Sequence, residues 1–246
     1  RPLLIGISGP QGSGKTTLTR NLVTLLSSTP RPGRSTNDTS TMLRVLAISL
    51  DDFYKTHAEL VALESLHPTN KLLHGRGLPG THDVALLLST LNKLSSRNPA
   101  DYPIHVPVYD KAAFNGKGDR SSTEKQVVTA PLDVILLEGW MLGFAPPTDP
   151  ESDLTTLVSP DLLAKYGLGN LTYVATHELS AYAAIDTMLD HFIHWTPANV
   201  GIVYTWRVQQ EQELRARNGG IGMTDDQVGQ FVDRYMPMYQ ACVPKL

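Results

Sequence analysis

Eight residues near the start of the sequence, Gly9-Pro10-Gln11-Gly12-Ser13-Gly14-Lys15-Thr16, bring together the groups that a bound triphosphate needs. They fit the pattern G-x-x-x-x-G-K-[ST]. Glycines let backbone N–H groups turn inward around an anion, and a helix that follows adds the positive end of its dipole. The Lys15 ammonium would reach the β- and γ-phosphates, and the Thr16 hydroxyl would coordinate Mg²⁺. The expected nucleotide contacts are Gly9, Gln11, Gly12, Ser13, Gly14, Lys15, Thr16 and Thr17, with ATP and Mg²⁺ as ligands. So short a pattern also arises by chance, and its surroundings decide. Leu3-Leu4-Ile5-Gly6-Ile7-Ser8 has the apolar character of a buried parallel strand. Leu18, Leu22, Leu25 and Leu26 then recur at helical spacing.

Two carboxylate positions complete a phosphoryl-transfer site. Residues 44–50 read as a second strand that runs into Asp51-Asp52-Phe53-Tyr54. In an open parallel sheet, ligands gather at the carboxyl ends of the strands. A carboxylate there can accept the proton of an attacking hydroxyl and help hold Mg²⁺, the role expected of Asp51. Asp52 and Tyr54 are expected to face the acceptor, although an Asp pair could also simply cap the next helix. In Asp133-Val134-Ile135-Leu136-Leu137-Glu138, an acid ends the most apolar strand of the chain. A charge in that place is costly without a partner, so Glu138 joins Thr16 and Asp51 as a metal-site candidate.

Two loops carry groups suited to a small anionic, hydroxyl-bearing molecule. The stretch NKLLHGRGLPGTHD contains Arg76, His82 and Asp83, and YDKAAFNGKGDR contains Tyr109, Lys117 and Arg120. Capping of the next helix could account for Asp83, and a solvated loop for the second cluster. Residues 204–218 form a charged helix whose Glu211/Arg215 and Glu213/Arg217 are i,i+4 pairs. The other reading is a lid over residues 204–223 that brings Arg207, Arg215 or Arg217 to the transferring phosphate. Arg207 and Arg215 are the catalytic candidates.

The elements that must position these groups imply an α/β fold: a mainly parallel sheet with helices on both faces, in one domain spanning 1–246. Further expectations are an edge or terminal strand at 104–108 and another strand at 171–175. A helix is expected over 179–195, ended by Pro197, with Tyr182, Ile185, Leu189 and Phe192 as a core stripe. Thr224 and Gln227 form a capping box for a closing helix that looks structural. Residues 27–41 read as a mobile surface loop. His177, His191 and His194 lack the pattern of a zinc site.

The chain has 246 residues, a net charge of −3, 41% hydrophobic and 18% charged residues, and one cysteine, Cys242. These values describe a soluble globular protein with no broad basic face, so nucleic acid is not an expected partner. A single thiol forms no intrachain disulfide and fits a reducing, cytoplasmic setting. No apolar run approaches the ~20 residues that span a bilayer, and no membrane partner is expected. The sequence begins at Arg1, which leaves a preceding targeting segment open.

In order, GPQGSGKT, SLDDFY, GRGLPGTHD, PVYDKAAFNGKGDR, VILLEGW and WRVQQEQELR…GMTDDQV resemble the plant and fungal D-glycerate 3-kinase group over nearly the whole chain. More distantly the sequence is similar to uridine kinases, phosphoribulokinases and bacterial pantothenate kinases. The resemblance implies transfer of the ATP γ-phosphoryl to a hydroxyl of a small molecule, D-glycerate first. It also implies Asp51 as base, Glu138 near Mg²⁺, and Arg76, His82, Asp83, Tyr109 and Lys117 facing the acceptor. The alternatives are the same chemistry on pantothenate, a sugar phosphate or a nucleoside, or an ATPase switch with no small acceptor.

Overall fold

The computed structural model describes residues 1–32, 42–217 and 219–246. Residues 33–41 of the expected polar loop and Asn218 of the expected lid lie outside the described residues. The strands are β1 (Leu3–Ser8), β2 (Val45–Ser49), β3 (Ile104–Asp110), β4 (Asp119–Val128), β5 (Val134–Gly139) and β6 (His191–His194). Four of them form a parallel sheet in the order β2-β5-β1-β6. β5 lies inside this sheet with every residue buried, as its unbroken apolar run requires. The register pairs Ser8 with Gly139 and Ser49 with Glu138. The phosphate loop, the Asp51 turn and Glu138 therefore leave the sheet at one edge.

Alternation along β5 assigns the two faces. Val134 and Leu136 join Ile7 beneath α1 (Lys15–Ser27), which contributes Leu18, Leu22, Val23 and Leu26. Ile135 and Leu137 point the other way into the main core, with Leu4, Leu46 and Ile48 and with Leu87, Leu91 and Leu94 of α3 (Val84–Leu94). Helices cover both faces, as expected. α2 (His57–Leu66) starts at a Thr56/Glu59 capping box beyond a single-turn helix, Leu50–Phe53, that carries Asp51 and Asp52. The remaining helices are α4 (Pro150–Leu157), α5 (Pro160–Tyr166), α6 (Leu168–Tyr173), α7 (Ala183–Asp186), α8 (Ile202–Arg217), α9 (Asp225–Asp233) and α10 (Met236–Cys242). The Thr224/Gln227 capping box opens α9 as expected, and the buried helix α10 follows it.

Three expectations are corrected. The run 171–175 is helical, belonging to α6 and a wide turn Val174–Glu178. Its buried residues Leu171, Val174, Ala175 and Leu179 fall at i, i+3, i+4 and i+8, a helical face that a five-residue apolar run disguises. The helix expected over 179–195 ends by Asp186, and the chain then enters β6. There it pairs with β1, while the Asp190 carboxylate accepts the Leu4 N–H at 2.8 Å. Tyr182 and Ile185 are buried, whereas Phe192 on the sheet edge is 40% exposed. β3 and β4 form a separate antiparallel ribbon; β4 was not foreseen, because DRSSTEKQVV buries only Val128 and shows no alternation.

Candidate active site

The phosphate loop has the shape that its sequence implies. Gly12 and Gly14 adopt φ of 79° and 88°, a region that favours glycine, and α1 begins directly after Gly14. Nothing lies within 4 Å of a side chain added at Gly14, which is open to solvent. The Ser13 hydroxyl and the Gln11 amide oxygen are buried without hydrogen-bond partners. The Lys15 ammonium bends back onto the Pro10 carbonyl at 3.0 Å. Unpaired polar atoms and a folded-back ammonium suit a triphosphate that would take these bonds over.

Glu138 stands beside the loop, and Thr16 Oγ1 donates to its Oε1 at 3.2 Å. Burial pushes the Glu138 carboxyl up and the Lys15 ammonium down, and the attraction between the two charges opposes both shifts. Hydroxyl and carboxylate oxygens are the hard donors that Mg²⁺ prefers. Among the described residues no three His, Cys, Asp or Glu side chains cluster as a metal cage. The site thus fits an ion held by one or two protein oxygens together with substrate phosphates.

Asp51 follows β2 on the single-turn helix. Its Oδ1 accepts from the Tyr54 hydroxyl at 2.9 Å and its Oδ2 from the Lys111 ammonium at 2.6 Å. Burial alone would raise this carboxyl; the Lys111 charge and the two hydrogen bonds outweigh it and hold the group below its ordinary range. Asp52 accepts from the Tyr109 N–H at 3.2 Å, and burial raises its pKa.

A cleft of ≈ 790 Å³ opens between these groups and the later loops. Of the residues expected from sequence, Gln11, Gly12, Lys15, Thr16, Asp51, Asp52, Tyr54, Arg76, Lys117, Glu138 and Arg207 line it. Of the rest, His82, Asp83, Tyr109 and Arg120 stand behind this wall, while Gly9, Ser13, Gly14 and Thr17 belong to the phosphate loop and the start of α1 outside the lining. His82 stacks on Tyr54 with ring centres 4.2 Å apart, its Nδ1 lies 2.8 Å from the Tyr182 hydroxyl, and burial lowers its pKa to about 3. Asp83 caps α3 by accepting the Leu86 N–H, and Arg120 braces both Asp83 and the Tyr54 carbonyl at 3.1 Å. Tyr109 packs edge-on against Tyr54. Arg76 donates to the Gly116 and Lys117 carbonyls, which holds the β3–β4 turn against the cleft.

α8 crosses above the phosphate loop. A side chain at Gly12 would come within 2.7 Å of Trp206 Cβ. Arg207 faces the cleft, donates to Gln210 Oε1 at 2.6 Å and lies 5.3 Å from the Phe231 ring centre. Arg215 instead pairs with Asp225, and Glu211 is buried against the Met223 N–H, so these two turn to the α8–α9 connection. Glu213 and Arg217 form the expected i,i+4 pair at 3.6 Å.

Sequence reasoning missed Lys111, His57, His74, Phe231, Arg234 and Tyr235 as cleft residues. Lys111 had a signal, since it directly follows Tyr109-Asp110. Phe231 and Tyr235 had none, because on a helix an apolar stripe reads as core.

No family model matches the chain. A probable ATP-dependent kinase of Saccharomyces cerevisiae is 39% identical over 243 residues, covering 97% of this chain and 77% of that protein. The chloroplastic D-glycerate 3-kinase of Arabidopsis thaliana is 38% identical over 247 residues, covering 100% of this chain and 48% of that protein. The solved D-glycerate 3-kinase of Cryptococcus neoformans shares 40% identity and superposes with a TM-score of 0.85 over 98% of this chain and 79% of that one. Similarity of that extent, joined to a phosphate loop and a sheet-edge acid in the same cleft, makes this protein an ATP-dependent P-loop kinase that belongs to the D-glycerate 3-kinase family.

Proposed function

We propose that this kinase transfers the γ-phosphoryl of Mg-ATP to a hydroxyl of D-glycerate. The observation that carries the reading is one cleft in which the Asp51 carboxylate lies between the phosphate loop and the cationic β3–β4 turn. The loop amides and Lys15 would hold the β- and γ-phosphates, and Thr16 and Glu138, with Asp51 near them, would hold Mg²⁺. The ion when bound offsets charge on the phosphate oxygens. Asp51 orients the acceptor hydroxyl and takes its proton. A carboxylate entering a partly buried cleft needs a charged partner, and Lys117 offers one. Arg120 is committed to Asp83, so it braces the wall from behind. Arg207 is the lid arginine that faces the transferring group.

The same reading takes residues 1–246 as one domain with 204–223 as its lid, supported by the core that runs from the sheet through α3 to α10. No described helix is long and apolar enough to cross a membrane. The lone, free Cys242 supports a reducing compartment such as the cytoplasm, and the net charge of −3 supports small-molecule over nucleic-acid partners. ADP release with Mg-ATP, measured against D-glycerate, L-glycerate, uridine, pantothenate and ribulose 5-phosphate, tests the assignment. Strong stimulation by D-glycerate is expected. Stimulation by another of these acceptors in its place would overturn glycerate, and turnover indifferent to all five would favour an ATPase switch.

A further inference from the structure

Both oxygens of the Asp51 carboxylate are engaged, Oδ1 by the Tyr54 hydroxyl and Oδ2 by the Lys111 ammonium. Each oxygen keeps a second lone pair, but an ammonium 2.6 Å from Oδ2 makes that oxygen a weaker base, so it accepts a proton more readily once the cation has moved away. Tyr54 is fixed: it is 3% exposed, stacked on His82 and met edge-on by Tyr109 at 5.2 Å. The Lys111 side chain is 58% exposed on a flexible four-carbon stem. Its backbone is held, because its carbonyl accepts from Arg76 at 3.4 Å, so the ammonium can swing on a stationary base. The guanidinium groups nearby are tied down, Arg76 to the turn carbonyls and Arg120 to Asp83. Lys111 is thus the cation at the base that is able to follow an anion.

We propose that Lys111 is a specificity-determining latch: a carboxylate on the acceptor draws its ammonium off Asp51 Oδ2, so the hydroxyl meets an oxygen without a paired cation when that carboxylate is present. This rests on the proposed acceptor class. Once the latch is open, the hydroxyl proton passes to Oδ2 as the new O–P bond forms, and the bond between the γ-phosphorus and the bridging oxygen breaks, ADP leaving with the electron pair. Without the acceptor carboxylate the ammonium stays on Oδ2, the oxygen offered to water is a weaker base, and hydrolysis of ATP is held down. A neutral polyol of the same size has the hydroxyl and lacks the means to open the latch.

The test compares wild type, Lys111→Met and Lys111→Arg for ADP release with Mg-ATP alone, with D-glycerate and with glycerol. Lys111→Met should raise acceptor-free release at least about fivefold, the lower end of a usual coupling between two bound groups. It should also lower the D-glycerate over glycerol preference in kcat/KM by at least about tenfold, the loss expected for one hydrogen bond to a charged group. Lys111→Arg keeps the charge and should retain most of both wild-type properties. A Met variant with wild-type Tm, unchanged acceptor-free release and unchanged preference overturns the proposal. If D-glycerate fails to stimulate the wild type, the substrate assignment falls separately. The acceptor-free rates then still decide the latch: a rise with Met and none with Arg upholds it, and no rise with Met sinks it.

Discussion

Asp51 shows how one residue acquires a role from its neighbours. Burial raises the pKa of a carboxylate, and the Lys111 charge with the Tyr54 hydroxyl outweighs that here and holds this one below its ordinary range. Replacement by Asn preserves shape and size and removes the proton acceptor. Asp51→Asn should therefore lower kcat by at least ~10², the ordinary contribution of a general base, while calorimetry still detects ATP binding. Turnover equal to wild type would remove Asp51 from the mechanism. His82 acquires the opposite role. With its pKa lowered to about 3 by burial, it is neutral near physiological pH and serves as the plate on which Tyr54 stacks. Lys15 was legible in sequence from the phosphate-loop pattern, and Asp51 and Glu138 because each comes at the end of an apolar strand, where an unpaired charge is costly. Lys111 and His82 were not legible in that way, since what each touches depends on loops closing from tens of residues away.

Between elements, Asp133 is the clearest tie. It precedes β5, accepts the Arg44 N–H at 2.8 Å ahead of β2, and takes Nε and Nη2 of Arg31 at 3.0 and 2.9 Å after α1. Burial would raise this carboxyl, but the Arg44 amide and the Arg31 guanidinium outweigh it and depress the pKa. A folded-state pKa depressed below the ordinary 3.8 means stability that is present above that value and lost as pH falls through the lower folded value. Asp133→Asn should cost about 1.5 kcal/mol near neutral pH, the scale of a hydrogen bond to a charged group. The gap from wild type should then close in acid. Urea midpoints measured at both pH values check this, and a gap that persists or widens in acid would contradict it. At this scale the sequence was readable wherever one face is apolar, as in β1, β5, α1 and α3. It was unreadable where pairing alone makes the element. β4 is held by its ladder to β3 and β6 by its ladder to β1, and backbone hydrogen bonds leave no mark on side-chain pattern.

Across the whole molecule, the chain's two ends meet at the phosphate loop. The Tyr239 hydroxyl of α10 accepts the Gln11 N–H at 3.0 Å, and the same helix carries Cys242, 3% exposed, with its thiol pushed up to about 12 by burial. Alkylation of Cys242 should be negligible in the native protein, rise in step with unfolding, and slow further under saturating Mg-ATP, which stabilises the folded state. Rapid stoichiometric alkylation of the native enzyme would show that α10 opens independently of the core. The amino-acid order alone determined the α/β class, the phosphate loop, and the acids at the ends of β2 and β5, because backbone periodicity and the cost of a buried charge act locally. Tertiary structure alone decided that Arg207 faces the cleft while Arg215 faces Asp225, that His82 and Arg120 brace the wall from behind, and that Lys111 lies on Asp51. Those outcomes depend on how the β3–β4 ribbon and α8 fold over the sheet edge, and contacts between segments so distant in the chain leave no local pattern to read.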